Sequence, residues 1–347
     1  MSVENCKVAV YGAGAMGTVL GAFLTLGGVR AHLISRNELH VQALKSQGAT
    51  IECVADEKTI RTDVEAILPS EMTEKYDVIF LMTKQRDNTK TLAFLKDYLK
   101  EDGVICTTQN GLPELSLVEC IGEEKTYGGV ASWGANFLGE GKVELTSKLS
   151  AMSIVVGGYQ ANEPKTALLV EILRCVSKVN GNQDFVKKTE DLLGARWAKL
   201  ALNSAFSGLS VVTGLEFGEI AKRHKTKKIA LRLLREAYAV ADAAGIKVEK
   251  VQGHDLKKIF GGYGYFQKLL AYCLLPLTMK KHKKLVSGML KDVQSGKKCE
   301  IEFINGVVCR LGREYSVPTP TTQKVVEIVH GIENGLYEIA PENVDFF

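Results

Sequence analysis

Two rhythms of apolar and polar residues divide the chain. Up to about residue 186, short apolar runs alternate with stretches of helical spacing, a pattern that predicts parallel β-α-β units. The runs predicted as strands are 31–34, 78–82, 104–107, 126–131 and 154–156. The segments 142–145 and 154–158 alternate in polarity and are flanked by glycine, and they predict an antiparallel extension of the same sheet. From residue 187 onward strand-like runs vanish, and long amphipathic stretches at 187–206, 227–244 and 300–313 predict helices. The expected architecture is α/β: a Rossmann-type doubly wound sheet domain over 1–186, followed by a mainly α-helical domain over 187–347.

The first strand carries chemistry. Residues 7–17 read Lys-Val-Ala-Val-Tyr-Gly-Ala-Gly-Ala-Met-Gly, a strand running into Gly12, Ala13, Gly14, Ala15, Met16 and Gly17, with the helix-like segment 18–26 behind. Gly12 permits the tight turn, Gly14 lets the backbone approach a pyrophosphate, and Gly17 lets helix pack on strand. After the second strand, dinucleotide sites for NAD usually carry an acid. Here the segment is Leu33-Ile-Ser-Arg-Asn37, with no acid before Glu38, and Arg36 can make a forked contact to a 2′-phosphate with Ser35 and Asn37 adding hydrogen bonds. NADP(H) is therefore the expected cofactor; the alternative for Arg36 is a surface arginine at a strand end. Two more loops follow strands at the carboxyl edge of the sheet, where doubly wound folds bind ligands. In Thr83-Lys84-Gln85, Lys84 can neutralise phosphate charge or touch a ribose; in Gln109-Asn110-Gly111, Asn110 can bond the nicotinamide ribose or a substrate.

The helical half supplies the second set of polar groups. Lys199, Asn203 and Ser207 recur at four-residue intervals, so they share one helix face while Leu200 and Leu202 pack elsewhere. Hydride delivery to a keto carbon builds negative charge on its oxygen, and an ammonium group in reach both stabilises that charge and donates the proton. Lys199 fits that role, against the plainer alternative of a surface lysine. Glu300 opens a helix whose Ile301, Ile304, Val308 and Leu311 form an apolar stripe; a carboxylate there is also favoured simply by the helix dipole.

Composition narrows the class. The 347 residues exceed what one core usually supports, and 46% apolar with 24% charged residues is ordinary for a soluble globular protein. The reading is cytoplasmic, with no signal-peptide pattern and no membrane association, since no apolar run nears the ~20 residues a span needs. The eight cysteines show no Cys-x-x-Cys pair, which points away from disulfides and zinc. A net charge of +4 is mild. The basic runs at 222–228 and 280–284 read as solvated faces, because no aromatic residues interleave them as a nucleic-acid platform would require.

With these motifs in place, the chain resembles the 2-dehydropantoate 2-reductases, or ketopantoate reductases. The resemblance rests on Gly-Ala-Gly-Ala-Met-Gly, the Lys84 loop, Gln109-Asn-Gly111, Arg196-Trp-Ala-Lys-Leu-Ala-Leu-Asn203, and Ser287-Gly-Met-Leu-Lys-Asp292 with Glu300-Ile-Glu-Phe-Ile-Asn-Gly306. It implies NADPH-dependent reduction of a small 2-keto acid, ketopantoate, to its hydroxy acid in pantothenate synthesis. It further implies Lys199 as catalytic lysine, Glu300 as its partner acid, and Asn110 and Asn203 as cofactor or substrate contacts. Two departures bear on the pocket. Ser207 stands where many members carry a second asparagine, and Gly288 stands where a serine is usual, leaving Ser287 one position earlier. Ser207 and Ser287 are taken as substrate contacts, but the substrate is less determined than the reaction. The alternatives are a related D-2-hydroxyacid dehydrogenase acting on another branched or aromatic keto acid, and a non-catalytic NADPH-binding regulator. A homodimer is the assembly considered, with no interface specified, and the stretch 253–286 looks longer than in compact members.

Overall fold

The structure, a computed structural model, describes every residue except Met1, Ser2, Ala161 and Gln252, and all side chains among these except Glu4 and Lys281. The chain forms two compact units, one of Met1–Gln109 and Pro113–Leu192, the other of Asn110–Leu112 and Leu193–Phe347.

Among the described residues the first unit holds twelve strands: β1 Val8–Tyr11, β2 Ala31–Ile34, β3 Ala49–Cys53, β4 Lys58–Thr62, β5 Glu65–Ile67, β6 Tyr76–Leu81, β7 Leu99–Thr107, β8 Thr126–Ala131, β9 Ala135–Gly139, β10 Lys142–Leu145, β11 Ile154–Gly158 and β12 Val186–Lys188. Its helices are α1 Ala15–Leu26, α2 Glu38–Gln47, α3 Asn88–Leu95, α4 Glu114–Ile121, α5 Glu163–Arg174 and α6 Ser177–Asn180. The main sheet has the order β12-β11-β8-β7-β6-β1-β2-β5, parallel from β5 through β8, with β11 antiparallel to β8. Strand order reverses between β1 and β6, so the crevice beyond their carboxyl ends is the topological switch point where such sheets take ligands. Parallel strands bury both faces. Val8 and Val10 of β1 pack in the core that includes Leu20 and Phe23 of α1, while Ala9 and Tyr11 join Leu92, Leu95 and Leu117 of α3 and α4 on the other face.

Strand β11 extends the main sheet antiparallel, as the sequence predicted. Strand β10 does not. It pairs antiparallel with β9 and parallel with β3, in a separate four-stranded sheet of order β4-β3-β10-β9. Its alternation and flanking glycines specify a hairpin, but a hairpin signal is local and does not say which sheet receives the strand. This small sheet is tied to the glycine turn through buried His40, whose Nδ1 accepts the Gly141 N–H at 3.0 Å. The Nε2–H of this tautomer is 3.1 Å from the Thr18 hydroxyl, and burial lowers the imidazole pKa and keeps it neutral.

The second unit is helical: α7 Leu192–Thr213, α8 Phe217–Lys222, α9 His224–Ala243, α10 Leu256–Phe260, α11 Tyr265–Thr278, α12 Gly288–Gln294, α13 Ile301–Glu314 and α14 Pro320–Glu333. Helix α7 is its hub. Fully buried Trp197 donates to the Ala237 carbonyl of α9 at 2.9 Å, and the Asn305 amide of α13 donates to the Ser204 carbonyl at 2.9 Å. Glu236 of α9 accepts from the Thr321 and Thr322 N–H groups and the Thr322 hydroxyl at 2.7–2.9 Å, capping α14 from another helix. Among the described residues no helix is long and apolar enough to cross a membrane.

Candidate active site

In the first unit the site begins as backbone. Gly12 sits at φ +103°, and a Cβ there would lie 2.6 Å from the Thr83 nitrogen. A Cβ on Gly17 would lie 2.3 Å from the Gly12 carbonyl oxygen. Neither position admits a side chain without moving main chain, so the two loops after β1 and β6 can approach this closely only with glycine. Gly14 is the opposite case: it is the N-cap of α1, no side chain caps it, and nothing lies within 4 Å of where its Cβ would be. Gly14 thus leaves open space beside the uncapped N-terminus of a twelve-residue helix, the end of a helix that favours an anion. The turn is held by the Gly12 and Ala13 N–H groups donating to the Ile34 carbonyl at 2.9 Å and the Met82 N–H donating to Tyr11 at 2.8 Å.

Around this turn stand the side chains chosen from sequence. Lys84 follows β6 and is exposed. Arg36 follows β2, exposed, and its guanidinium lies 3.1 Å from the Asp87 carboxylate. No acid precedes Glu38 in the local sequence; the fold brings Asp87 to Arg36 from the loop after β6. Asn37 is occupied as the N-cap of α2, its side-chain oxygen accepting the His40 N–H at 3.1 Å, so that oxygen serves the helix. A buried amide network beside these loops escaped sequence reasoning. Gln109 and Asn88 form reciprocal amide bonds at 2.7 and 3.1 Å, Gln109 also accepts from Thr107 at 3.0 Å, and Asn88 donates to Ser116 at 3.0 Å. This network ties the start of α3 to the end of β7 and to α4. Its only signal in sequence is Gln109 beside Asn110, and Asn88 carries none.

In the second unit Lys199, Asn203 and Ser207 lie on α7 as their spacing predicted, with Leu200, Ala201 and Phe206 buried on other sides. Lys199 and Asn203 are partly buried and Ser207 is buried. Lys199 is no ordinary surface lysine. Desolvation, aided by the Arg196 guanidinium one turn earlier on the same helix, lowers its pKa from 10.5 to about 8. Arg196 is itself buried.

Glu300 is the N-cap residue of α13, its carbonyl accepting from Phe303 and Ile304 at 3.0 and 3.1 Å. Its side chain makes no capping bond to that helix, so capping does not account for the carboxylate. The residue before it is fixed from α14: Glu333 accepts the Cys299 N–H at 2.8 Å. Ser287 has a structural task that sequence did not assign, because its hydroxyl oxygen caps α12 by accepting the Met289 N–H at 3.1 Å. At Gly288 nothing lies within 4 Å of a built Cβ, so the missing serine leaves open space there. Asn110 is exposed and belongs with the helical unit, one residue past the buried Gln109 of the sheet unit. The basic run at 222–228 is only partly a solvated face: Lys227 is buried, with its ammonium 3.8 Å above the Tyr272 ring. All eight cysteines are free thiols.

Comparison with known proteins identifies the family. Residues 8–158 match the family model for ketopantoate reductase PanE/ApbA, and residues 191–333 match the model for the C terminal part of the same family. The chain is 27% identical over 332 residues to the 2-dehydropantoate 2-reductase of Aquifex aeolicus, covering 94% of this chain and 97% of that protein. Against the 2-dehydropantoate 2-reductase of Archaeoglobus fulgidus the identity is 24% over 341 residues, with 95% and 99% covered. Among solved structures, a PanE/ApbA family ketopantoate reductase from Ralstonia eutropha shares the fold with a TM-score of 0.77 at 24% identity, over 95% of this chain and 99% of that one. D-mandelate dehydrogenase, in a ternary structure with NADH and anilino(oxo)acetate, matches with a TM-score of 0.78, also at 24% identity and the same coverage. The chain belongs to the ketopantoate reductase family and is an oxidoreductase.

Proposed function

We propose that this chain reduces 2-dehydropantoate to pantoate with NADPH, and that Lys199 is its proton donor. The observation that carries the reading is the desolvated Lys199, poised near pKa 8 on a helical stripe with Asn203. The glycine turn fits the cofactor's pyrophosphate, since Gly14 leaves the uncapped α1 terminus open while Gly12 and Gly17 close the backbone beneath it. Backbone from Gly12 to Gly17 would hold the phosphates, with Arg36 and Lys84 supplying positive charge and Asn110 a ribose or substrate contact. When bound, NADPH supplies the hydride for the keto carbon.

The chain's own residues do the rest. The Lys199 ammonium hydrogen-bonds to the carbonyl oxygen, stabilises the negative charge developing there, and passes it a proton. A pKa near 8 keeps it mostly protonated at neutral pH while making it a better acid than an ordinary lysine. Glu300 is the partner acid, and Glu333 fixes the backbone just before it by accepting the Cys299 N–H. Asn203 and Ser207 follow Lys199 on the stripe and contact substrate polar groups; Ser287 contributes its hydroxyl hydrogen, its oxygen already serving as a cap.

A keto-acid panel assayed with NADPH and NADH tests this reading. Ketopantoate differs from 2-ketoisovalerate by a hydroxymethyl arm, and a pocket that bonds that hydroxyl rejects the analogue, which leaves its polar partners unpaired. Ketopantoate should lead in kcat/KM by at least about tenfold, equivalent to ~1.4 kcal/mol at the transition state. Equal efficiencies, or preference for an apolar or aromatic keto acid, would move the assignment to a D-2-hydroxyacid dehydrogenase with Lys199 still in its role.

A further inference from the structure

Helix α13 is entered through residues that α14 holds from outside. No side chain caps α13 at Glu300, its N-cap position. On either side of Glu300, however, a residue is tied to the last turn of α14. Cys299, one residue before, gives its N–H to Glu333 at 2.8 Å, and Glu302, two residues after, meets His330 Nε2 at 2.6 Å. His330 Nδ1 lies 3.2 Å from Glu333, so acid, imidazole, acid and main-chain amide form one connected clamp. Its base is fixed in place: Val325, Ile328 and Val329 of α14 are buried, and Glu236 caps the far end of that helix.

Glu333 is costly where it stands. Its side chain is 5% exposed, and a carboxylate at the carboxyl end of a helix faces the negative end of the dipole. Burial alone would raise its pKa; bonds from the Cys299 N–H and thiol and from His330 lower it below the ordinary 4.5 instead. Burial likewise disfavours the His330 charge, but bonds to Glu302 and Glu333 raise that pKa above 6.5. Burial and the neighbouring carboxylate push the Cys299 thiol up, so it remains a protonated donor. The Glu333 charge therefore weakens the end of α14, and its compensating bonds hold the residue before Glu300. We propose that Glu333, itself held by His330, is a positioning residue for Glu300, which it places by fixing the peptide just before it. The proposal rests on Glu300 as the partner acid of the reduction. A displacement of about 1 Å in a reacting group can cost on the order of 100-fold in rate, and anchors at 299 and 302 leave residue 300 little room to drift.

A double-mutant cycle in the full chain tests this, with kcat measured at saturating NADPH and the keto acid that leads the panel. Glu333→Ala should lower kcat roughly tenfold while NADPH affinity stays within about twofold of native. Glu333→Gln keeps an oxygen for the Cys299 N–H and should restore kcat to within about threefold of native. The decisive variant is E300Q/E333A. Because Glu333 acts through Glu300, this double variant should match E300Q within about twofold, whereas a purely structural role would multiply the two losses. Glu327→Gln, at an exposed position of α14, should leave kcat unchanged. Should circular dichroism show Glu333→Ala unfolded, His330→Gln takes its place in the cycle, with a loss of roughly threefold that disappears in the E300Q background. A folded Glu333→Ala variant with native kcat overturns the proposal, as do losses that multiply in the double variant. A Glu300→Gln variant with native kcat instead overturns the role of Glu300 as partner acid, and the proposal with it.

Discussion

The two units carry their candidate site groups in different materials. In the sheet unit the groups proposed to meet the pyrophosphate are main chain, held by positions where a Cβ would lie 2.3–2.6 Å from neighbouring backbone atoms. In the helical unit they are side chains on a stripe of α7, and their chemistry depends on what surrounds them. The first kind of site is specified by residue type alone: only glycine fits, and once it is there the backbone has little choice. In the second kind the spacing sets where a group points, and burial sets what it does.

The helical unit gives the largest expected effect. Lys199→Met should cut kcat by roughly 100-fold or more, about 2.7 kcal/mol of transition-state stabilisation, with cofactor affinity nearly unchanged. The same variant should be more stable. A lysine whose folded pKa lies below its unfolded value costs stability wherever both states are protonated, so the cost is full below about 8 and fades as pH rises toward 10.5. Removing it should raise unfolding free energy at pH 7 by about 1–2 kcal/mol, with the gain vanishing above the ordinary lysine range, as urea titrations at neutral pH and above that range would report. The native enzyme's kcat should fall as pH rises through about 8, because the donor is then deprotonated. A Lys199→Met variant that loses neither the rate nor this pH break would leave α7 as packing only.

This difference in material also explains what could be read in the chain. The turn from Gly12 to Gly17 was legible because a missing Cβ is visible in sequence, and the stripe Lys199, Asn203, Ser207 because helical spacing is. The lowered pKa of Lys199 was not, since the burial that produces it is tertiary. The Asn88–Gln109 amide pair, 21 residues apart, and the Glu333 bond that fixes Cys299, 34 residues away, are likewise products of long-range packing. Strand β10 was visible as a strand and invisible as a member of the second sheet. The cap that Ser287 places on α12 was not legible either, because a cap and a binding group use the same hydroxyl.

A smaller effect is expected from the backbone site. Gly17→Ala puts a Cβ 2.3 Å from the Gly12 carbonyl, so the turn must shift. Stability should drop by about 2 kcal/mol, and NADPH and NADH should both weaken by roughly 30-fold, in equal proportion, because both share the pyrophosphate. Fluorescence titration with each cofactor measures this. Unequal losses would mean the turn does more than seat the pyrophosphate, and unchanged binding would break the contrast between the two kinds of site.

Arg36 is the side-chain exception within the sheet unit, and it should behave like one. A charge-assisted bond to a 2′-phosphate is worth about 1.5–3 kcal/mol, but Arg36 already meets Asp87 at 3.1 Å, and that pair must give way before a phosphate can take the guanidinium. The pair is exposed, with Arg36 at 70% and Asp87 at 31%, so it is worth no more than about 1 kcal/mol, and a doubly charged phosphate displaces it. Arg36→Ala should therefore weaken NADPH by roughly tenfold, at the low end of that range, and change NADH by less than about twofold. Asp87, no longer neutralised by Arg36, then repels the phosphate, which adds to the loss for NADPH and leaves NADH untouched. Equal losses for both cofactors would show that Arg36 is a strand-end surface residue. They would also return cofactor choice to the backbone, where the glycine turn cannot distinguish one dinucleotide from the other.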